Sequence, residues 1–285
     1  MEEIIRKIRI IPLKNILVHE RVVGRWVHNL GTYMEEAGIQ KNPIVVHKAR
    51  DKYIVLDGMH RVEALRHLGY QDIMVYEVDY FNEEIKLCGW DAIVFGSFNV
   101  PEVLKSLFSR NYIIRKESQR VRLQKLVQER KVLFGLRDRK KNQYAVILRD
   151  NKLDRIPHNK YLDVVISAVQ RVENYFDNRN IRTQYVPEVT SDSNFLTLKG
   201  DAILYRPVFT KEDIIHRTLT GKIFPRKSTR HLIPCRPLRV DINLIILKEK
   251  MSLKAKNKLL YSHLMWCFKG GRVRYYPESV YIFAD

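Results

Sequence analysis

Cysteine is scarce in this chain: three in 285 residues, with Cys88, Cys235 and Cys267 far apart. An odd and scattered set fits neither a disulfide framework nor a zinc-binding spacing, so they read as ordinary thiols. No run of about 18 apolar residues is present, which argues against a membrane-spanning helix. The opening Met1-Glu2-Glu3 lacks the basic and then apolar profile of a secretion signal. A cytoplasmic protein with no membrane partner is the expectation. Internal repeats and low-complexity tracts are absent too, and 45% hydrophobic residues over this length suffice for a buried core divided into two domains.

Negative charge is also in short supply, with 32 Asp and Glu against 51 Lys and Arg, a net of +19. Such an excess suggests a polyanionic partner such as nucleic acid. Its distribution tempers that reading. Residues 1–80 carry 12 bases against 11 acids, whereas residues 101–160 carry 17 against 6 and residues 201–285 carry 17 against 7. The basic segments could hold RNA or DNA, but they equally fit a solvated surface or a funnel for small anionic substrates.

Periodicity divides the first 80 residues into alternating elements. Residues 4–13 alternate as a strand that Pro12 stops. From Arg21 to Ala37, Val23, Trp26, Val27, Leu30, Tyr33, Met34 and Ala37 fall on one helical stripe, and Gly38 stands where a glycine cap belongs. Ile44-Val45-Val46 and Tyr53 to Leu56 read as strands, Val62 to Leu68 as a helix capped by Gly69, and Ile73 to Val78 as a further strand. A boundary is expected near Tyr80 to Glu84. Beyond it, helices are expected at Pro101 to Ser109, Glu117 to Leu133 and Lys160 to Asn178. Strands are expected at Gln143 to Leu148, Val240 to Leu247 and Ser279 to Phe283. Thr210 followed by Asp213 marks a capped helix start.

The most informative segment is Asp57-Gly58-Met59-His60-Arg61, where an apolar strand runs through a glycine turn into a helix. Free backbone amides, the helix dipole and the Arg61 guanidinium can converge there on a phosphate. Gly58 permits close approach of a ligand to the main chain, and Arg61 offers forked hydrogen bonds. The same letters also fit a buried Asp57 capping the helix beside an exposed Arg61.

The element order over residues 6–80, centred on this Asp-Gly-x-His-Arg turn, resembles the ParB/sulfiredoxin fold. That resemblance implies nucleotide phosphates bound at Gly58, Met59, His60 and Arg61. Met59 stands where sulfiredoxins have cysteine, so the thiol chemistry of that branch lacks its nucleophile. Plasmid-partition ParB proteins continue into a helix-turn-helix, for which the basic helix expected at 117–133 is the nearest substitute. The free L-serine kinases of the SerK and SbnI type resemble the chain further. The likeness includes Thr210 to His231, Pro237 to Lys248 and the closing Val273 to Phe283, while residues 100–200 match loosely.

The kinase resemblance implies a mixed α/β protein, with residues 1–82 as the ParB/sulfiredoxin-like domain, 83–285 as a second α/β domain, and an active-site cleft between them. The activity implied is transfer of a phosphoryl group from ADP or ATP, with Mg²⁺, to the hydroxyl of L-serine. Another small alcohol, or a ParB-like nucleic-acid-binding role, is the alternative. Glu20, after His19, matches the family's base; its plain alternative is a solvated acid at a helix start. Catalytic roles are also implied for Asp57 and His60, Asp57 either ordering Mg²⁺ through water or orienting the acceptor amine. Trp90, Thr229, Arg230 and His231 are implied to bind substrate, although a lone tryptophan is commonly a core residue and Arg230 and His231 also fit an ordinary basic surface. No residue is expected to hold a resident metal. The chain has neither a Gly-x-x-x-x-Gly-Lys-Ser/Thr loop nor a kinase-type His-Arg-Asp loop.

Overall fold

The computed structural model describes residues 2–108, 110–149 and 157–276. Its first elements are α1 (Glu2–Arg6), β1 (Ile8–Pro12), β2 (Ile16–Leu17), α2 (Gly24–Ala37), β3 (Ile39–Gln40), β4 (Ile44–Ala49), β5 (Lys52–Asp57), α3 (Met59–His67) and β6 (Asp72–Glu77). Five of the strands form a sheet in the order β1-β6-β4-β5-β2. The pairs β1–β6 and β4–β5 are antiparallel, while β6–β4 and β5–β2 are parallel. This mixed sheet brings the C-terminal end of β5 straight to the start of α3. Ile44, Val46, Ile54 and Val55 within it and Leu65 of α3 are fully buried, each contributing about 1.5–3 kcal/mol of apolar burial.

Several expectations are corrected here. Residues 4–6 belong to α1, with Glu2 and Glu3 in its first turn and Arg6 in its last, charges that suit the helix dipole; the strand begins only at Ile8. In α2 the buried positions are Val27, Gly31 and Met34, whereas Trp26 and Tyr33 are exposed. Gly31 faces α3, where a β-carbon would lie 3.8 Å from Ala64 and Leu68. Gly38 ends α2 in the left-handed conformation, as its position predicted.

The second group of elements is β7 (Lys86–Cys88), β8 (Trp90–Phe95), α4 (Val100–Leu107), β9 (Tyr112–Glu117), α5 (Leu123–Gln128), β10 (Phe134–Asp138), β11 (Gln143–Leu148), α6 (His158–Asn178), β12 (Arg182–Pro187), α7 (Ser191–Thr197), β13 (Ala202–Tyr205), α8 (Lys211–Leu219) and β14 (Arg230–Leu232). An antiparallel six-stranded sheet, β12-β8-β13-β10-β11-β9, packs Ile93, Ala145 and Ile203 against Leu123, Val127 and Phe195, and β14 pairs with β7 in a separate ribbon. The long basic helix expected at 117–133 is absent. Glu117 ends a strand, and α5 is six residues long with Leu123 and Val127 turned into the core, so this segment is no substitute for a DNA-reading helix pair. Thr210 and Asp213 form the reciprocal cap that opens α8.

The remaining elements are β15 (Ile242–Asn243), α9 (Leu244–Lys248) and α10 (Leu253–Lys269). Val240 to Leu247 was expected as a strand; only two of its residues are, because the Asn243 side chain caps a helix at the next residue. The strand expected at Ser279 to Phe283 lies outside the described residues. Two compact units emerge: residues 1–17, 22–79 and 235–285, and residues 18–21 with 80–234. The first unit thus includes the C-terminal segment, and the second includes residues 18–21. Asn257 of α10 bonds both the amide and the carbonyl of Ile10, and Lys256, 2% exposed, bonds Asp72 and the Leu247 carbonyl.

Candidate active site

In the first unit, Asp57 closes β5 and Gly58 turns the chain with φ +97°. A side chain at Gly58 would be strained by this backbone and would also lie 2.8 Å from both Arg61 Nη2 and Ile44 Cδ1. The N-cap position of α3 is Gly58, which has no side chain to cap the helix, and the backbone amides and dipole at a helix start suit an anion. The capping role considered for Asp57 is therefore not what the residue does. Its Oδ2 accepts from Arg61 Nη2 at 3.0 Å and from Arg236 Nη2 at 2.6 Å.

Arg61 differs from the expectation of a phosphate-facing guanidinium. Its Nη1 donates to the carbonyls of Asn42 (2.6 Å) and Pro43 (3.2 Å), and burial pushes its pKa down against the opposing pull of Asp57. It ties the turn to the segment before β4. The more exposed cation at Asp57 is Arg236, which sequence reasoning missed because nothing links two residues 179 positions apart. His60 accepts from the Val23 amide (3.4 Å), and its ring lies 5.7 Å from that of Trp26, which places it beside the start of α2.

In the second unit, Glu20 is 7% exposed and is not a solvated helix-start acid. The strand-like pairing of residues 19–21 with Phe224 holds it: Phe224 donates to the His19 carbonyl and Arg21 donates to the Phe224 carbonyl. The loop after Phe224 then wraps the carboxylate. Oε2 accepts from the Lys227 amide (2.9 Å), and Oε1 accepts from the amide and the hydroxyl of Thr229, both at 2.7 Å. A carboxylate offers about four acceptor sites, so one on Oε2 remains for an incoming donor. Thr229 Oγ1 is also 2.8 Å from His19 Nε2. The expected substrate ligand Thr229 thus spends its hydroxyl on Glu20 and His19.

The other expected substrate residues gather around this carboxylate. Trp90 Nε1 donates to the Thr229 carbonyl (2.9 Å), and Lys227 Nζ and the Arg230 guanidinium lie 4.6 and 5.7 Å from its ring. His231 meets the His19 ring edge-on at 5.4 Å, and its Nε2 is 2.7 Å from the Tyr80 hydroxyl, whose pKa burial pushes far up. Next to Trp90, Asp91 is fully buried and its pKa is pushed up to about 7 by burial, against hydrogen bonds from the Arg206 amide and Ser191. Among the described residues no group of three or more acidic, histidine or cysteine side chains could hold a metal ion, and no helix is long and apolar enough to cross a membrane.

No family model matches the chain. An ATP-dependent L-serine kinase from Staphylothermus marinus is 26% identical over 243 residues, which are 84% of this chain and 90% of that protein. The ADP-dependent L-serine kinase SerK of Thermococcus kodakarensis is 23% identical over 238 residues, 82% of this chain and 90% of that protein. Among solved structures, a free serine kinase in complex with AMP superposes with a TM-score of 0.67 at 20% identity, covering 85% of this chain and 93% of the other. C-terminally truncated SbnI from Staphylococcus aureus superposes with a TM-score of 0.70 at 16% identity, covering 94% and 100%.

Proposed function

Because this chain has the fold of the free serine kinases and of SbnI, and aligns over most of its length with L-serine kinases, we propose that it is an L-serine kinase. It transfers a phosphoryl group from ADP or ATP to the serine hydroxyl, giving O-phospho-L-serine and AMP or ADP. The observation that carries the reading is the Glu20 carboxylate, fixed by three donors with one acceptor site left over. A serine hydroxyl placed at that site gives its proton to Glu20 as its oxygen attacks the phosphorus, and the bond to the leaving nucleotide breaks. The start of α3, with Gly58 at its N-cap, is the proposed seat of the nucleotide's phosphates, the backbone of Gly58, Met59 and His60 facing the charge in this scheme.

Mg²⁺ fits this reading as an ion carried on the phosphates, since such ions commonly keep waters and take only one or two carboxylates. Asp57 would be its carboxylate, through Oδ1; bound there, the ion supplies charge neutralisation to the phosphates. Thr229, Trp90 and His231 act in this scheme by shaping the surroundings of Glu20, and Arg230 and Lys227 supply positive charge beside it. Incubating the purified protein with Mg²⁺, each nucleotide and a panel of hydroxyl-bearing metabolites, and identifying the product by mass, tests the reading. O-phospho-L-serine is expected; a phosphorylated product from another alcohol, or none, overturns it.

A further inference from the structure

The loop that wraps Glu20 is gripped from behind. Its carbonyls at Arg226 and Lys227 accept from the Arg206 guanidinium at 3.4 and 2.5 Å, and its carbonyl at Thr229 accepts from Trp90. The amides of Lys227 and Thr229 point the other way, to the carboxylate. Lys227 has φ +57°, a left-handed conformation unfavourable for a residue with a β-carbon, and it needs the surrounding structure to hold it. Arg206 is itself held on every side. It is 6% exposed, its Nε faces Glu173 at 3.2 Å, the Tyr185 ring lies 5.2 Å away, and its amide donates to Asp91 at 2.9 Å. A guanidinium so buried does not reach a substrate, and its dehydration is tolerated only because the site supplies these partners.

We propose that Arg206 is the positioning residue of the Glu20 carboxylate: by pinning the carbonyls of Arg226 and Lys227 it aims the Lys227 and Thr229 amides, and these set the orientation of the base. The inference rests on the reading of Glu20 as the proton acceptor. Lysine keeps the charge but cannot span two carbonyls and a carboxylate as a planar fork does. Glutamine removes the charge as well.

The test uses the full chain, labelled with ¹³C at glutamate carboxyls, with the Glu20 resonance assigned by its loss in Glu20→Gln. In Arg206→Lys and Arg206→Gln that resonance is expected to shift, and kcat to fall about 10- to 100-fold. The KM for serine and the nucleotide Kd should stay within about twofold. An unmoved Glu20 resonance in a folded variant overturns the proposal, as does an unchanged kcat, or a loss of activity that only tracks the loss of folded protein. If neither Arg206 variant folds, Trp90→Phe, which deletes the donor to the Thr229 carbonyl and leaves a smaller aromatic ring, decides by the same measurements. Should the wild-type protein form no phosphoserine, the kinase reading fails by itself and the resonance alone judges the clamp.

Discussion

The Thr229 hydroxyl stands between His19 and Glu20, 2.8 Å from the imidazole Nε2 and 2.7 Å from the carboxylate Oε1. A hydroxyl has one proton, and an ionised carboxylate only accepts. Thr229 therefore donates to Glu20 and accepts from His19, which places the His19 proton on Nε2. The carboxylate thus faces three donors, and its rotamer is set by them.

Replacing Glu20 by glutamine swaps one acceptor oxygen for a donor that must face another donor. Glu20→Gln should cost about 1–3 kcal/mol of stability, read by urea unfolding. It should lower kcat by about 10²- to 10⁴-fold while nucleotide binding, measured by calorimetry, persists. An unchanged turnover number removes Glu20 from the mechanism.

At Gly58, alanine meets both an unfavourable backbone and two atoms at 2.8 Å. Gly58→Ala should lose about 1–3 kcal/mol in unfolding and weaken nucleotide binding by about tenfold or more. Tight nucleotide binding in a folded Gly58→Ala protein would place the phosphates elsewhere.

The two arginines at Asp57 should behave differently. Arg61→Ala strips two part-buried carbonyls of their donor and should cost about 1–3 kcal/mol. Arg236→Ala breaks a half-exposed pair, which solvent screens, and should cost less than about 1 kcal/mol. Equal losses in denaturant midpoints would contradict the inward role given to Arg61.

Asp91 gives the protein a pH signature. Its pKa is raised from the ordinary carboxylate value to about 7 by burial, so the folded state holds a proton that the unfolded state has released. The linked stability is fully present below about pH 4 and is lost as pH rises to about 7, by an amount on the order of a few kcal/mol. Stability measured by urea across this range should fall less steeply in Asp91→Asn, which stays neutral throughout. The same slope in both proteins would show that Asp91 is ionised when folded.

Much of the first unit, and one helix start in the second, were legible because their signals are local. A strand of apolar residues, a glycine and a helix opened by His60 and Arg61 announce one another within a few positions, as do Ala37 with Gly38 and Thr210 with Asp213. What escaped depends on distant partners. Lys256 lies in a helix that the sequence reading did not find, because that helix has little amphipathic contrast: its buried residues include a lysine, made tolerable only by Asp72. Glu20 was singled out by its neighbour His19 and by resemblance, yet its amide partners at 227 and 229 are invisible from residue 20. The inward turn of Arg61 and the arrival of Arg236 depend on carbonyls and backbone paths that side-chain letters do not encode.

The return of α10 to β1 carries a consequence for biosynthesis. A ribosome delivers residues 80–234 as one stretch, whereas Ile10 and Asp72 must wait for Asn257 and Lys256, and Glu20 must wait for the amides of 227 and 229. The nascent amino-terminal sheet therefore spends most of translation with one edge unfinished. A chain halted shortly after Pro234 already has the loop that wraps Glu20, yet it lacks the helix that packs on the sheet from which the Asp57-Gly58 turn leaves.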